Sequence, residues 1–297
     1  MIDLHCHILP GLDDGPKTLD EAVGMCRIAA ADGIKTIVAT PHFKPGTYEH
    51  SPRLVEQRLA ELVAALEKNN IAVRVLLGAD VSVTPELARH LDAFDYLTID
   101  RNGKYFLAEF PADFVPPQWD VFLLSFLKRG IVPIITHPER NRWFLGHRDA
   151  LRPFVRSGGL LQITAMSLTG HYGDEERAFC EYLLRHNLAQ VMATDAHSAE
   201  ARPPVLSTAV KAASRLVGRE KAEALVTSIP GAILAGSKLD LAPILDEMET
   251  PKRKTWLKRL RGTHLKARCQ VKKPTLWREN EIFSPMFTQS SISLPLP

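Results

Sequence analysis

Ile2-Asp3-Leu4-His5-Cys6-His7-Ile8-Leu9-Pro10-Gly11-Leu12-Asp13-Asp14-Gly15-Pro16 opens the chain. A short apolar run, residues 2–4, ends there on an alternating pair of histidines, and a Gly/Asp/Pro-rich turn follows. Thr18-Leu19-Asp20-Glu21 has the form of a capping box, a hydroxyl residue three positions before a glutamate. Apolar positions at Ala22, Met25, Cys26, Ala29 and Ala30 then continue a helical pattern to Gly33, a residue suited to closing a helix. A second apolar run, residues 34–39, ends on Thr40-Pro41-His42. The unit is strand, turn, helix, strand, and both strands finish on imidazole.

The unit recurs. Apolar runs at residues 73–77, 105–108, 131–135, 160–163 and 190–193 are nearly continuous, as expected of parallel strands covered on both faces. Helical patterns separate them at residues 52–68, 85–90, 119–129, 148–157 and 174–186, with further helices at 204–217 and 220–227. Seven such units predict an α/β fold, a (β/α) barrel or close variant over residues 1–246, with an open doubly wound sheet as the alternative.

Composition separates two regions. The 297 residues hold 37 Lys and Arg against 34 Asp and Glu, a net charge of +3. From residue 252 onward, 11 Lys and Arg face only Glu279 and Glu281, leaving 26 basic and 32 acidic residues before it. The body is therefore acidic, and whole-chain charge says little about what it binds. Residues 247–297 are expected to be a flexible tail, basic at first and Ser/Pro-rich at the end. Trp256, Leu257 and Leu260 among its cations would alternatively suit contact with acidic lipid or nucleic acid. No apolar run approaches the roughly 20 residues of a membrane span, and no secretory leader is visible. Cys6, Cys26, Cys180 and Cys269 are widely spaced, which fits reduced thiols in a cytoplasmic protein.

Six of the seven strands end in a metal-ligand residue type. After His5/His7 and His42 come Asp80, Glu109, His137, and the pair Asp195/His197. Barrel enzymes place their sites at this C-terminal edge. Residues two apart on a strand share a face, so His5 with His7, or Asp195 with His197, can chelate one ion. A polar strand end bonded to backbone would explain either pair alone, but not the recurrence. Mixed imidazole and carboxylate suit Mn²⁺, Fe²⁺ or Zn²⁺. His50, His90, His147, His171, His186 and His264 fall in loops and helices and are expected at the surface.

Asp13 and Asp14 admit two readings, turn chemistry or, for Asp14, a further ligand reaching over the site. Arg140 and Arg202 follow two of the ligand-bearing strands. They are either ion-pair partners of Glu139 and Glu200 or planar clamps for phosphate oxygens, and the second reading is preferred. Six residues after the four cysteines stand Leu12, Asp32, His186 and Thr275, so no thiol-phosphatase loop is present. Gly-x-Ser-x-Gly and Gly-x-x-x-x-Gly-Lys are missing too. Metal-activated water is the economical mechanism that remains.

His5-x-His7, Asp14, His42, Glu109, His137 and Asp195-x-His197 resemble the motifs of the polymerase-and-histidinol-phosphatase (PHP) superfamily. More closely, residues 3–16, His137-Pro138-Glu139-Arg140-Asn141 and Asp195-Ala196-His197 through Arg202-Pro203-Pro204 are similar to the bacterial capsule-associated protein-tyrosine phosphatases. The resemblance covers about residues 1–240. It implies a distorted (β/α)₇ barrel and three divalent ions, usually Mn²⁺, with Fe, Zn or Co as substitutes. By that likeness His5, His7 and Asp195 hold one ion with Asp80 shared, Glu109 and His137 a second, and Asp14, His42 and His197 a third. Arg140 and Arg202 would grip the phosphoryl group, and His42 would assist proton transfer. Asp80 stands where the family usually has a bridging Glu, so it reaches two ions only if the backbone compensates for one missing methylene. The basic tail is a second departure.

The implied substrate is phosphotyrosine on the tail of a bacterial tyrosine kinase controlling capsule or exopolysaccharide export, with self-association into a homo-oligomer allowed. Competing readings are a small-molecule phosphatase of the histidinol-phosphate type, and an inactive barrel that binds through its tail.

Overall fold

The computed structural model describes residues 1–245. The expected tail, residues 247–297, lies outside the described residues, as does His264. The helix at Leu19–Asp32 begins as anticipated: Thr18 caps it by accepting from the Glu21 amide, and Gly33 closes it at φ 88°. Glu21, however, reaches back to the Lys17 amide at 2.7 Å and not to that of Thr18.

Among the described residues nine parallel strands follow one another: β1 (Ile2–Cys6), β2 (Thr36–Ala39), β3 (His42–Phe43), β4 (Arg74–Leu77), β5 (Asp80–Ser82), β6 (Tyr105–Glu109), β7 (Val132–Thr136), β8 (Leu160–Thr164) and β9 (Val191–Ala193). They form a three-stranded sheet, β1-β2-β4, and a six-stranded sheet, β3-β5-β6-β7-β8-β9. Only seven excursions of the chain are involved. β2 and β3 are halves of one strand interrupted at Thr40-Pro41, where proline has no amide for the ladder. β4 and β5 are likewise halves, separated by Gly78-Ala79. A Cβ on Gly78 would lie 2.8 Å from Val38 Cγ1, so the strands pinch together there. The ring closes between the last strand and the first: Cys6 bridges Ala196, the His7 amide donates to Ala196 O at 2.9 Å, and that of Asp195 to His5 O at 2.8 Å. Strand order follows chain order around a closed ring, which excludes the open doubly wound alternative and gives a distorted seven-stranded barrel.

Leu4, Val38, Leu76, Leu107, Ile134, Leu160 and Val191, one from each excursion, meet inside the barrel with Tyr105, Ile99 and Ile233. The short helix Ser228–Leu234, which carries Ile233, supplies the plug. A larger apolar cluster fills the space between the strands and the outer helices. Most helices match expectation within a turn, but the one expected at 119–129 stops being α-helical at Leu124 and continues as a 3₁₀ segment, Ser125–Arg129. His90 corrects the sequence reading: it is buried, edge-on to Phe43 at 5.2 Å between ring centres, because its helix packs toward β3.

Candidate active site

β1 cannot alternate strictly and still serve both ends of the barrel. Leu4 faces the interior cluster, yet the adjacent His5 also turns into the barrel mouth. A register shift between Asp3 and Cys6 resets the phase. Buried Asp3 holds that irregularity, accepting from the amides of Thr194 at 3.0 Å and His5 at 3.3 Å. His7 lies beyond the strand, and its Nε2 comes within 3.1 Å of His5 Nε2. The pair converges as expected, though through a bulge and not a straight strand.

All nine residues expected as ligands meet at this mouth. His5 Nε2 lies 3.5 Å from Asp80 Oδ2 and 3.4 Å from Asp195 Oδ1. Asp195 Oδ1 is also 3.4 Å from His7 Nε2. His42 Nδ1 is 3.3 Å from Glu109 Oε2, and His137 Nε2 is 3.8 Å from Asp80 Oδ2. Asp14 reaches over the mouth, its Oδ1 3.3 Å from His197 Nε2 and 3.5 Å from His42 Nε2. Asp13 does something different: its carboxylate meets His7 Nδ1 at 2.7 Å while accepting from the Gly15 and His42 amides. Turn chemistry and site chemistry are thus both present in this dipeptide, divided between its members.

Four overlapping sets of ligand atoms each lie within 4.8 Å of one another: His7/Asp14/His42/His197, His5/His7/Asp80, His5/His137/Asp195 and His42/Asp80/Glu109. Asp80 belongs to two of them, so the shorter carboxylate still reaches the centre. Its Oδ2 is buried with no hydrogen-bond partner among the described residues, while imidazole nitrogens of His5, His42 and His137 surround it at 3.5, 3.6 and 3.8 Å. An unsatisfied buried carboxylate oxygen is costly, and these separations are too long for hydrogen bonds. A cation among the four groups resolves both facts, so the residues fit a metal centre.

Electrostatics agree. Despite burial, the imidazoles of His5 and His137 hold Asp80 and Asp195 below the usual carboxylate range. Burial lowers His5 to about 4, with Asp80 and Asp195 only partly opposing it. Burial opposes charge on His7 also, but Asp13 and Asp195 outweigh it and push it up to about 10. Metal ligation needs anionic carboxylates and neutral imidazoles, so His7 would have to give up its proton to hold a cation here.

Gln162 is a site residue that the strand-end argument missed, since β8 ends without a ligand type. Its Oε1 accepts from His5 Nδ1 at 2.7 Å, which leaves Nε2 free to face the cluster. The signal was one polar residue inside the apolar run Leu160-Leu161-Gln162-Ile163. Two site residues adopt left-handed backbone, His137 at φ 33° and Asp195 at φ 51°. Such conformations cost energy and persist where the surroundings over-determine them.

Arg140 and Arg202 converge on one acceptor. Both pair with Asp195 Oδ2, and Arg202 Nη2 also donates to Asp195 O at 2.9 Å. Neither ion-pair partner considered from sequence, Glu139 or Glu200, is used. Buried Glu139 instead accepts from the Thr164 amide at 2.8 Å and anchors the turn between His137 and Arg140. Arg140 stacks over Tyr172 at 4.6 Å, and Arg202 Nε is buried without a partner.

With this geometry established, comparison with known proteins is decisive. A family model described as capsular polysaccharide synthesis, CpsB/CapC, matches residues 1–235. The chain belongs to the CpsB/CapC family. It is 37% identical over 202 residues to the tyrosine-protein phosphatase YwqE of Bacillus subtilis, covering 68% of this chain and 79% of that protein. It is 33% identical over 206 residues to a putative tyrosine-protein phosphatase CapC of Staphylococcus aureus, covering 69% and 80%. Among solved structures, one from a study of YwqE and of CpsB from Streptococcus pneumoniae, described as unique metal-dependent tyrosine phosphatases, superposes with TM-score 0.78 at 32% identity, covering 82% of this chain and 98% of that one. A histidinol phosphate phosphatase from Lactococcus lactis superposes at 0.51 with 14% identity and shares the fold. Among the described residues of this family member, no helix is long and apolar enough to cross a membrane.

Proposed function

We propose that this chain is a Mn²⁺-supported protein-tyrosine phosphatase acting in the cytoplasm on the phosphotyrosine tail of a bacterial tyrosine kinase of capsule or exopolysaccharide production. Its CpsB/CapC membership supports the reaction class and the biosynthetic setting, and its buried free thiols Cys6, Cys26 and Cys180 support the compartment. The observation that carries the chemistry is Asp80 Oδ2, buried and unpaired among three imidazoles.

His5, His7, Asp14, His42, Asp80, Glu109, His137, Asp195 and His197 would hold the ions, with Asp80 shared between sets. Bound divalent cations supply Lewis acidity and lower the pKa of water. Asp13 and Gln162 hold the rings of His7 and His5 in place through Nδ1, so Nε2 of each faces the centre. Arg140 and Arg202, which converge at the mouth on Asp195 Oδ2, would bind phosphoryl oxygens, and their charge would oppose what accumulates in the transition state. Tyr172 keeps Arg140 aimed at the mouth. A phenolate leaving group, with a pKa of about 10, needs little protonation, and His42 would assist it.

Phosphate release from a phosphotyrosine peptide tests this, using metal-stripped protein with and without Mn²⁺. Turnover restored by Mn²⁺ and faster than on histidinol phosphate is the expected result. Faster hydrolysis of histidinol phosphate would move the chain to the small-molecule class.

A further inference from the structure

The loops that follow β5 and β6 border a groove of about 630 Å³. Its lining carries no charged residue: Pro85, Phe114, Pro116, Trp119, Val121 and Phe122 form most of it. Phe114 is 56% and Val121 64% exposed, two of the three exposed large hydrophobic residues among those described. Exposed apolar side chains gathered in one concavity mark a binding surface more than a random surface does.

The groove is tied to the catalytic apparatus at two points. Pro111 follows Glu109 by two residues, about 7 Å of extended chain. Val83, at the groove's other side, donates its amide to Glu109 O at 2.9 Å. Buried Asn141, next to Arg140, donates to Pro111 O at 2.7 Å and Phe114 O at 3.5 Å, and the Arg142 amide donates to Ala112 O at 2.8 Å. Phe114 is therefore presented by a loop anchored to the turn that carries Arg140.

Resting on the phosphatase reading above, we propose that this groove receives an apolar side chain of the substrate peptide, roughly two to four residues from the phosphotyrosine. The anchoring of the Phe114 loop to the turn that carries Arg140 selects this occupant, since a peptide whose phosphate lies against Arg140 has this wall within reach. A second copy of the chain fits less well, because two exposed apolar side chains fall far short of the roughly 800 Å² per partner that a stable dimer buries. An uncharged lining also rejects a charged neighbour through its desolvation cost.

The test compares phosphotyrosine peptides carrying Leu or Gly at these flanking positions, with p-nitrophenyl phosphate as a substrate too small to reach the groove. Wild-type holoenzyme is expected to favour the Leu peptide by about tenfold in kcat/KM. Phe114→Ser with Val121→Ser should erase that preference and leave nitrophenyl phosphate hydrolysis unchanged, which also reports an intact fold. Equal rates on the two peptides, or a preference that survives the substitutions, would overturn the proposal. A dimer that dissociates on substitution while peptide preference persists would assign the face to a second copy instead. If wild type hydrolyses no nitrophenyl phosphate with any divalent ion, the phosphatase reading itself fails and this one with it.

Discussion

The two ends of the barrel are built from the same strands and follow opposite rules. At the N-terminal end, Leu4, Val38, Leu107, Ile134 and Val191 close on one another and on Ile233, so burial satisfies every group. At the C-terminal end, residues one to six positions further on gather carboxylates and imidazoles away from water, with Asp80 Oδ2 lacking a partner among the described residues and two residues in left-handed backbone. The floor gains stability from burial and the mouth gives some of it up to place charges where chemistry needs them. What separates the two is position along each strand.

The sharpest way to break this contrast is Asp80→Asn. Removing the central anion should cost on the order of a thousandfold in kcat/KM on any aryl phosphate, while metal-stripped protein melts near the wild-type temperature. A large loss of melting temperature in that form would show that the mouth is structural after all. Ile134→Ala should do the converse, costing about 2–5 kcal/mol of stability in denaturant titration with turnover per folded molecule retained. Arg140→Lys keeps the charge but loses the planar fork, and about a hundredfold fall in kcat/KM is expected with Mn²⁺ affinity nearly unchanged. Gln162→Leu should be the mildest, weakening Mn²⁺ binding by about tenfold, readable by calorimetry. Unchanged affinity there would deny Gln162 its role in orienting His5.

Much of the mouth was legible because most of its imidazoles and carboxylates are announced locally. A strand's apolar run stops and a His, Asp or Glu stands within the next three residues, and chain order around a closed barrel brings those stops to one edge. The same logic left Gln162 unseen, since it stands inside its strand and matters only because His5 lies across the barrel from it. His90 was misread for a related reason: helix position suggests a surface, but burial depends on what packs against the helix. Both arginines stand just after strands that end at the mouth, yet their common acceptor, Asp195, lies 55 residues from Arg140 in sequence.

The amino-acid sequence by itself determined the βα alternation, the seven excursions of the chain and the imidazole and carboxylate residues at their ends, because hydrophobic period and residue chemistry are local properties. Tertiary structure alone decided that the ring closes through Cys6 and Ala196, that β1 bulges so both Leu4 and His5 face inward, and that Asp13 supports where Asp14 reaches. Those outcomes depend on contacts between residues far apart in the chain, and on which polar groups find partners once water is excluded.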